Sequence, residues 1–302
     1  MMHYIVSVPL NENIASFIGK KGSEESLVFY NRRLDDKVIV VLYPSNDEVK
    51  QHYAIAESML LSGQIVISTA SIDKLFGEVI VAASLIDKHV ILTDENDVSG
   101  ILAGGIMKDY EISSKEELLQ KITSRAINGD AGSVRVDVDH IFPVKGIGTV
   151  ALGIVTAGKV KVHDTLYCTS GKQVSVKSIQ SQDTDIQEAG IGTRVGLALK
   201  GAEPDDMEKG DLLLSTQAAK ARSAKASLKV SALAHENVAE QSRYIFVSNF
   251  THVVVKVVKL GTGECELSFE KPISILKGDK FFLIRDRGPK IFASGTVLEA
   301  MA

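Results

Sequence analysis

The chain has 302 residues, 45% of them hydrophobic and 24% charged, with a formal net charge of −4. That balance belongs to a folded protein of two or three domains and excludes disordered, collagen-like and disulfide-stapled chains. Its two cysteines, Cys168 and Cys265, lie far apart, which excludes Cys-rich zinc sites and points to a reducing cytoplasm. No apolar run reaches the roughly 18–20 residues of a membrane span. The first residues lack a basic stretch followed by an apolar one, so neither a signal peptide nor a membrane partner is expected.

In chain order, the front of the sequence alternates strand and helix patterns. Tyr4–Val8 reads as a strand, Asn11–Ile18 as a helix, and Leu27–Tyr30 and Lys37–Tyr43 as strands, the last with a continuous VIVVLY run suited to a buried sheet position. Asp47–Leu61 is predicted helical, Gln64–Ser68 extended, Ile72–Asp87 helical and His89–Leu92 extended. A weaker helix is expected over Val98–Met107, where Gly100, Gly104 and Gly105 interrupt it. Tyr110–Ile112 is a short strand, and Ser114 with Glu117 forms a capping box for a helix over Lys115–Ala126. This alternation predicts a parallel sheet with helices on both faces.

Asn128–Ser133, NGDAGS, is a small polar linker, and the pattern changes after it. Short β-rich runs between turn signals recur over residues 134–215, and a second such unit follows from about Ser227, joined through Gln217–Ala226. The expected domains are therefore an α/β unit over 1–127 and two β-barrels over 134–215 and 222–302. Charge is uneven. Residues 1–130 hold 12 Lys and Arg against 19 Asp and Glu, a balance of −7, whereas residues 131–302 hold 22 against 19, a balance of +3. An acidic front and a basic back suit a protein whose rear half meets a polyanion, and equally suit solvated surfaces on unlike domains.

An α/β front followed by β-barrels directs attention to a nucleotide site. A phosphate loop needs glycine-rich backbone, a Lys and a Ser/Thr at the first strand–helix junction. The one candidate, Gly19-Lys20-Lys21, has Ile14 where Gly is needed and Lys21 where Ser/Thr is needed, and it follows the first helix. Gly19 and Gly22 read instead as a helix end. After Val38–Val41, where an Asp and a γ-phosphate-sensing Gly belong, the chain reads Leu42-Tyr43-Pro44-Ser45. The guanine-reading tetrad N/T-K-x-D is represented by Thr93-Asp94-Glu95-Asn96, in which the essential carboxylate has become an amide. A literal D-x-x-G at Asp97–Gly100 follows the wrong strand. The seven histidines show no zinc spacing, and no Ser/His/Asp order stands out. No catalytic residue, metal or cofactor is expected, and GTP with Mg²⁺ is not expected to serve as one.

His140-Ile-Phe-Pro-Val-Lys-Gly-Ile-Gly-Thr-Val150 resembles the opening of domain 2 in SelB-like translation elongation factors. Lys177–Ser181, Gly192–Gly196, Lys200-Gly201 and Met207–Asp211 continue the resemblance in order. Phe281–Gly288 and Ala293–Val297 resemble the end of domain 3 in elongation factor Tu and its relatives. Ile18–Gly22 and Tyr30-Asn31 look like methanogen SelB-like factors, EF-Pyl among them. The resemblance implies a degenerate P-loop GTPase-like domain followed by two EF-Tu-like β-barrels. The chain leaves no room for a fourth, C-terminal SelB domain. It also implies a monomer that binds aminoacyl-tRNA or another structured RNA, with the ribosome as a further partner, and without GTP hydrolysis. Asp139 and His140 fall on the acidic and following positions of the aminoacyl pocket, and Arg194 falls on its arginine. Their chemistry suits a polar or charged amino-acid group. Lys145, Gly146, Gly148 and Thr149 form a turn beside it, and Arg285, Arg287 and Lys290 form a basic turn for RNA phosphates. Local readings stay open: a strand-edge polar pair for Asp139–His140, a salt bridge to a domain neighbour for Arg194, and a solvated hairpin for the basic turn. An active GTP-binding factor with a divergent pocket, and a regulatory protein-interaction module mimicking an elongation factor, are the alternative functions.

Overall fold

The computed structural model describes residues 2–302 apart from 46–50, 104, 108, 126–131, 235, 286–287 and 289. In the front unit, β1 (Met2–Ser7), α1 (Glu12–Ile18), β2 (Lys20–Glu24), β3 (Leu27–Leu34), β4 (Lys37–Pro44), α2 (Gln51–Leu61), β5 (Gln64–Ile67), α3 (Lys74–Leu85), β6 (His89–Thr93), α4 (Ser99–Leu102), β7 (Tyr110–Ser113) and α5 (Leu118–Ser124) follow in order. The sheet runs β2-β3-β4-β1-β5-β6-β7. Its centre, β4-β1-β5-β6-β7, is parallel, and β2 and β3 extend it antiparallel. The VIVVLY run of β4 is buried throughout, as a strand covered on both faces requires. On one face Ile14, Ile18, Leu118 and Ile122 bring α1 and α5 onto the sheet, and on the other Ile55, Met59, Phe76 and Val79 do the same for α2 and α3.

The middle unit comprises β8 (Arg135–Val144), β9 (Gly148–Ala157), β10 (Lys159–Lys161), β11 (Thr165–Cys168), β12 (Gln173–Ser181), β13 (Thr184–Ile186), β14 (Glu188–Gly190), β15 (Arg194–Lys200) and β16 (Leu212–Leu214). The order β11-β16-β8-β9-β15-β12 closes on itself through β11–β12, with β13 appended to β12 and β10–β14 forming a small ribbon. The last unit comprises β17 (Ala221–Ser227), β18 (Lys229–Val230), β19 (Arg243–Ser248), β20 (Thr251–Leu260), β21 (Glu264–Ile273), β22 (Lys280–Ile284) and β23 (Ile291–Met301). It closes as β17-β21-β20-β19-β22-β23 through β17–β23. Closure leaves each barrel its own core, around Val138, Val176 and Leu197 in one and Phe246, Phe281 and Phe292 in the other. Strand crossing is closest at Gly295, where a Cβ would stand 2.0 Å from the Ser227 carbonyl.

Apolar packing also joins the units. The α2–α3 cluster continues into Val247, Phe282, Ile284 and Ile291 of the last barrel. A second shared cluster gathers Phe29 and Leu42 of the front sheet with Ile154 of the middle barrel and Phe250 of the last. Among the described residues, no helix is long and apolar enough to cross a membrane.

Several expectations need correction. The front sheet is mixed rather than purely parallel, because Lys20–Glu24 folds as a strand against β3. Gly19 does end α1, its N–H donating to Ala15 O at 3.0 Å, but Gly22 lies within β2. The helix expected over Val98–Met107 shrinks to Ser99–Leu102, and Gly105 adopts φ +68°. The Ser114–Glu117 capping box does not form: Ser114 Oγ meets the Glu117 N–H only at 3.4 Å and α5 starts at Leu118. Residues 47–50 of the expected second helix, and residues 128–131 of the linker, lie outside the described residues.

Candidate functional site

The front sheet and the outer face of the middle barrel enclose a cleft of about 520 Å³. Ser23 and Asn31 face it from one side; Phe142, Val150, Leu152 and Arg194 face it from the other. A β-bulge between Val138 and His140 re-aims this part of β8. Asp139 is consequently buried at the domain boundary, 2% exposed, whereas His140 is exposed and its ring lies 5.5 Å from that of Phe142.

Arg194 begins β15 and reaches back to the front domain. Its guanidinium lies 3.2 Å from the centroid of the Phe29 ring, and its Nη2 donates to Ser23 Oγ at 3.0 Å. The same Nη2 stands 3.2 Å from Asp139 Oδ2. This is proximity of charge without hydrogen-bond alignment: Asp139 Oδ2 and Arg194 Nη1 are both buried and neither completes a hydrogen bond among the described residues. Burial pushes the Asp139 carboxyl above the usual carboxylate range, against the pull of Arg194 and Lys209. Burial likewise lowers Arg194 from its ordinary value, with Asp139 opposing. The salt bridge considered for Arg194 is made inside its own barrel, to Asp139, while a hydrogen bond and a ring contact join it to the front domain and the side chain also lines the cleft.

Lys145-Gly146-Ile147 forms the hairpin tip between β8 and β9, with Ile147 N–H donating to Val144 O at 3.0 Å. Gly146 and Gly148 have φ of +81° and +108°, the left-handed region that favours glycine. Thr149 turns away from the cleft, buried, with its hydroxyl donating to Ala202 O at 2.8 Å. In the basic turn, Arg285 is committed internally: its guanidinium lies 4.2 Å over the Phe292 ring and donates to Glu236 O at 3.3 Å. The Lys290 N–H donates to Glu78 Oε2 on α3 at 2.8 Å. The Arg285 end of this turn is thus held within the last barrel and the Lys290 end docks on the front domain, and Arg287 lies outside the described residues.

At the carboxyl ends of β1, β5 and β6, where open α/β sheets place their ligands, side chains bond to one another. Asn11 donates to Ser68 Oγ at 3.1 Å. Thr69 Oγ1 donates to Thr93 O at 2.9 Å and accepts the Asn96 N–H at 3.1 Å, while Asn96 Nδ2 donates to Thr69 O at 2.8 Å. Glu95 accepts from the Thr93 hydroxyl, and the same carboxylate oxygen lies 3.2 Å from Thr69 Oγ1. The stretch that corresponds to a guanine-reading tetrad is thereby folded onto the end of β5. Asp97 accepts the Ser99 N–H at 2.9 Å and serves the start of α4.

Residues 148–214 match the family profile of elongation factor Tu domain 2, which falls on the middle barrel. An uncharacterized protein of Methanocaldococcus jannaschii is 30% identical over 287 residues, covering 90% of this chain and 92% of that protein. The selenocysteine-specific elongation factor of the same organism is 41% identical over 103 residues, 33% of this chain and 22% of that factor. The crystal structure of translation elongation factor SelB from Methanococcus maripaludis, in complex with the GTP analogue GPPNHP, superposes with a TM-score of 0.80 at 17% identity, covering 99% of this chain and 80% of that one. The chain belongs to the SelB-like elongation factor family. The SelB-like architecture runs through all three units, and the matched β9–β16 segment supplies Arg194.

Some residues that shape the site were not singled out from the sequence. Ser23 and Phe29 carry no motif. Lys209, which reaches Glu57 of the front domain at 3.3 Å, lies inside the Met207–Asp211 stretch and could have been found there.

Proposed function

We propose that this SelB-like protein holds the aminoacyl end of a tRNA, or of a related structured RNA, in the cleft between the front domain and the middle barrel, and that it does so without hydrolysing GTP. The observation that carries the reading is the buried Arg194–Asp139 pair, whose arginine lines the cleft, with Nη1 and Oδ2 left without hydrogen-bond partners. A buried polar group without a partner is costly, by about 1–3 kcal/mol, and a ligand that completes both bonds recovers that energy. The amine and carbonyl of an aminoacyl ester present the required donor, for Asp139 Oδ2, and acceptor, for Arg194 Nη1. The neighbouring Ser23 and Asn31 offer further polar contacts.

The absence of turnover is supported by Ile14, Lys21, Leu42–Ser45 and Asn96 standing where phosphate and guanine contacts belong, and by Glu95 and Asn96 bonding within the fold. The test uses one tRNA body in charged and uncharged form. Slower spontaneous hydrolysis of the ester in the presence of the protein, with weaker binding of the uncharged tRNA, is the expected result. Equal binding of both forms and of random RNA refutes the cleft reading. Tight, Mg²⁺-dependent binding of a fluorescent GTP analogue restores the GTPase alternative.

A further inference from the structure

A second cavity, of about 420 Å³, lies along the seam between the front domain and the last barrel, at the amino ends of β6 and β7. It is thus at the opposite end of the front sheet from Asn11 and Asn96. Another cavity of about 510 Å³, where all three units meet, shares Asp87, Lys88 and Lys280 with it.

Three ammonium groups line the seam cavity. Lys88 seats its Nζ on the carboxyl end of α2, donating to Met59 O and Leu60 O at 2.7 Å each and to Ser62 O. Lys229 donates to Ser84 O, near the end of α3, at 2.7 Å. Lys280 opens β22 and has no carboxylate partner among the described residues. Neither Lys88 nor Lys229 pairs with a carboxylate there either. Of the two acids on the wall, Asp109 is engaged by His89 at 2.9 Å and Arg125 at 3.1 Å, which leaves Asp87 alone against three cations. Burial pulls the Lys88 ammonium down to about 7, and the charge of Lys280 acts in the same direction. Lys88 and Lys280 thus line one cavity from the two sides of a domain seam. Beside the cations the wall turns apolar, at Val90, Ile106 and Met107.

We propose that this cavity binds a small phosphorylated molecule of nucleotide size. Its phosphate sits between Lys229 and Lys280, and its apolar part rests against Ile106 and Met107. All three Lys88 hydrogens are spent on carbonyls, so Lys229 and Lys280 supply the donors. The volume falls in the range of about 300–1,000 Å³ usual for small-molecule sites, which favour domain interfaces. Because two of the three cations come from the last barrel, the site is independent of the carboxyl ends of the front sheet.

The experiment is isothermal titration of the full chain at low salt with AMP, GMP and inorganic phosphate, each with and without Mg²⁺, repeated on Lys280→Gln and Lys229→Gln. Both lysines cap or border elements without carboxylate partners, and unliganded melting checks that each variant folds. We expect one saturable site, tighter for AMP than for phosphate, no preference for guanine over adenine, and about tenfold weaker AMP binding in either variant. Absence of AMP binding, or AMP binding unchanged in both variants, overturns the proposal. Guanine-selective, Mg²⁺-dependent binding that both variants retain locates the ligand at the carboxyl ends instead. That outcome overturns this site and the loss of GTP binding together, whereas failure of AMP alone leaves the tRNA reading intact.

Discussion

Glu57 of α2, 1% exposed, is met by the ammonium of Lys209 from the middle barrel at 3.3 Å. Ser26 of the front domain donates to the same oxygen at 3.0 Å, and His252 Nδ1 of the last barrel stands 3.6 Å from the other. One buried carboxylate therefore touches all three units. Lys209→Met should leave that carboxylate without its cation and destabilise the assembly by about 2–3 kcal/mol. Glu57→Gln combined with Lys209→Met should recover part of the loss, because the charge left stranded is then absent. Urea unfolding midpoints of the two single variants and the double variant check the sign, and strictly additive losses would refute the coupling.

Arg194 carries structural and recognition roles that separate by substitution. Arg194→Lys keeps a charge near Asp139 but gives up the planar stack on Phe29 and the fork geometry. It should lower stability less than Arg194→Ala, which strands Asp139 in a buried site. Both should weaken charged tRNA more than uncharged tRNA, by about tenfold for Ala. Melting curves report the first effect and ester protection the second. Equal weakening of the two tRNA forms would remove Arg194 from the recognition site.

Acid should weaken the fold in two windows. Burial lowers His3 from 6.5 to about 4, with the terminal amino group acting in the same sense. The unfolded chain therefore takes up that proton first, and stability present above pH 6.5 declines as pH falls toward 4. For Glu78, burial works to raise the carboxyl, but hydrogen bonds from His52 and from the Lys290 N–H outweigh it and hold the group below its ordinary value. Its contribution is present above the ordinary carboxylate range and is lost as pH falls through the lowered value. Melting temperature against pH should show both declines. His3→Gln should flatten the first, and Glu78→Gln the second.

The barrels without the front domain should keep their β structure and lose their solubility. A fragment of residues 132–302 retains both closed cores but bares Phe250, Phe282, Ile284 and Ile291, which the intact chain buries against the front domain. Far-ultraviolet circular dichroism should remain β-type while dye binding and self-association rise. An unfolded fragment would mean that the front domain completes the core of the barrels.

Much of this architecture is legible along the chain because local patterns determine it. The VIVVLY run specifies a buried strand wherever it is placed, and Lys145-Gly146-Ile147-Gly148 specifies a tight turn because its glycines adopt positive φ. The strand over Lys20–Glu24 was not legible. Its five residues are all exposed, so no apolar alternation marks it, and the neighbouring β3 imposes the pairing. The site shows the same division. Asp139 and Arg194 stand out by position in the middle barrel, but the ring that Arg194 covers, Phe29, lies in another domain. Arg285 reads as a free cation in sequence, although Phe292 and Glu236 engage it in the fold. Contacts of that kind depend on how whole units dock, which residue spacing does not encode.

Ring closure of both barrels has a consequence for how the chain behaves at high concentration. A closed sheet offers no long row of unpaired backbone groups, and the described strands outside the rings, β10, β13, β14 and β18, have at most three residues each. The longer open margins belong to the front sheet, at β2 and β7. Lys20, Lys21 and Glu24 place charge along the first and disfavour docking of a foreign strand. The second carries Tyr110 and Ile112, 39% and 56% exposed, on alternate positions of an edge. Slow fibrillar assembly of the intact protein should therefore nucleate at β7, and a lysine in place of Ile112 should suppress it without touching either barrel.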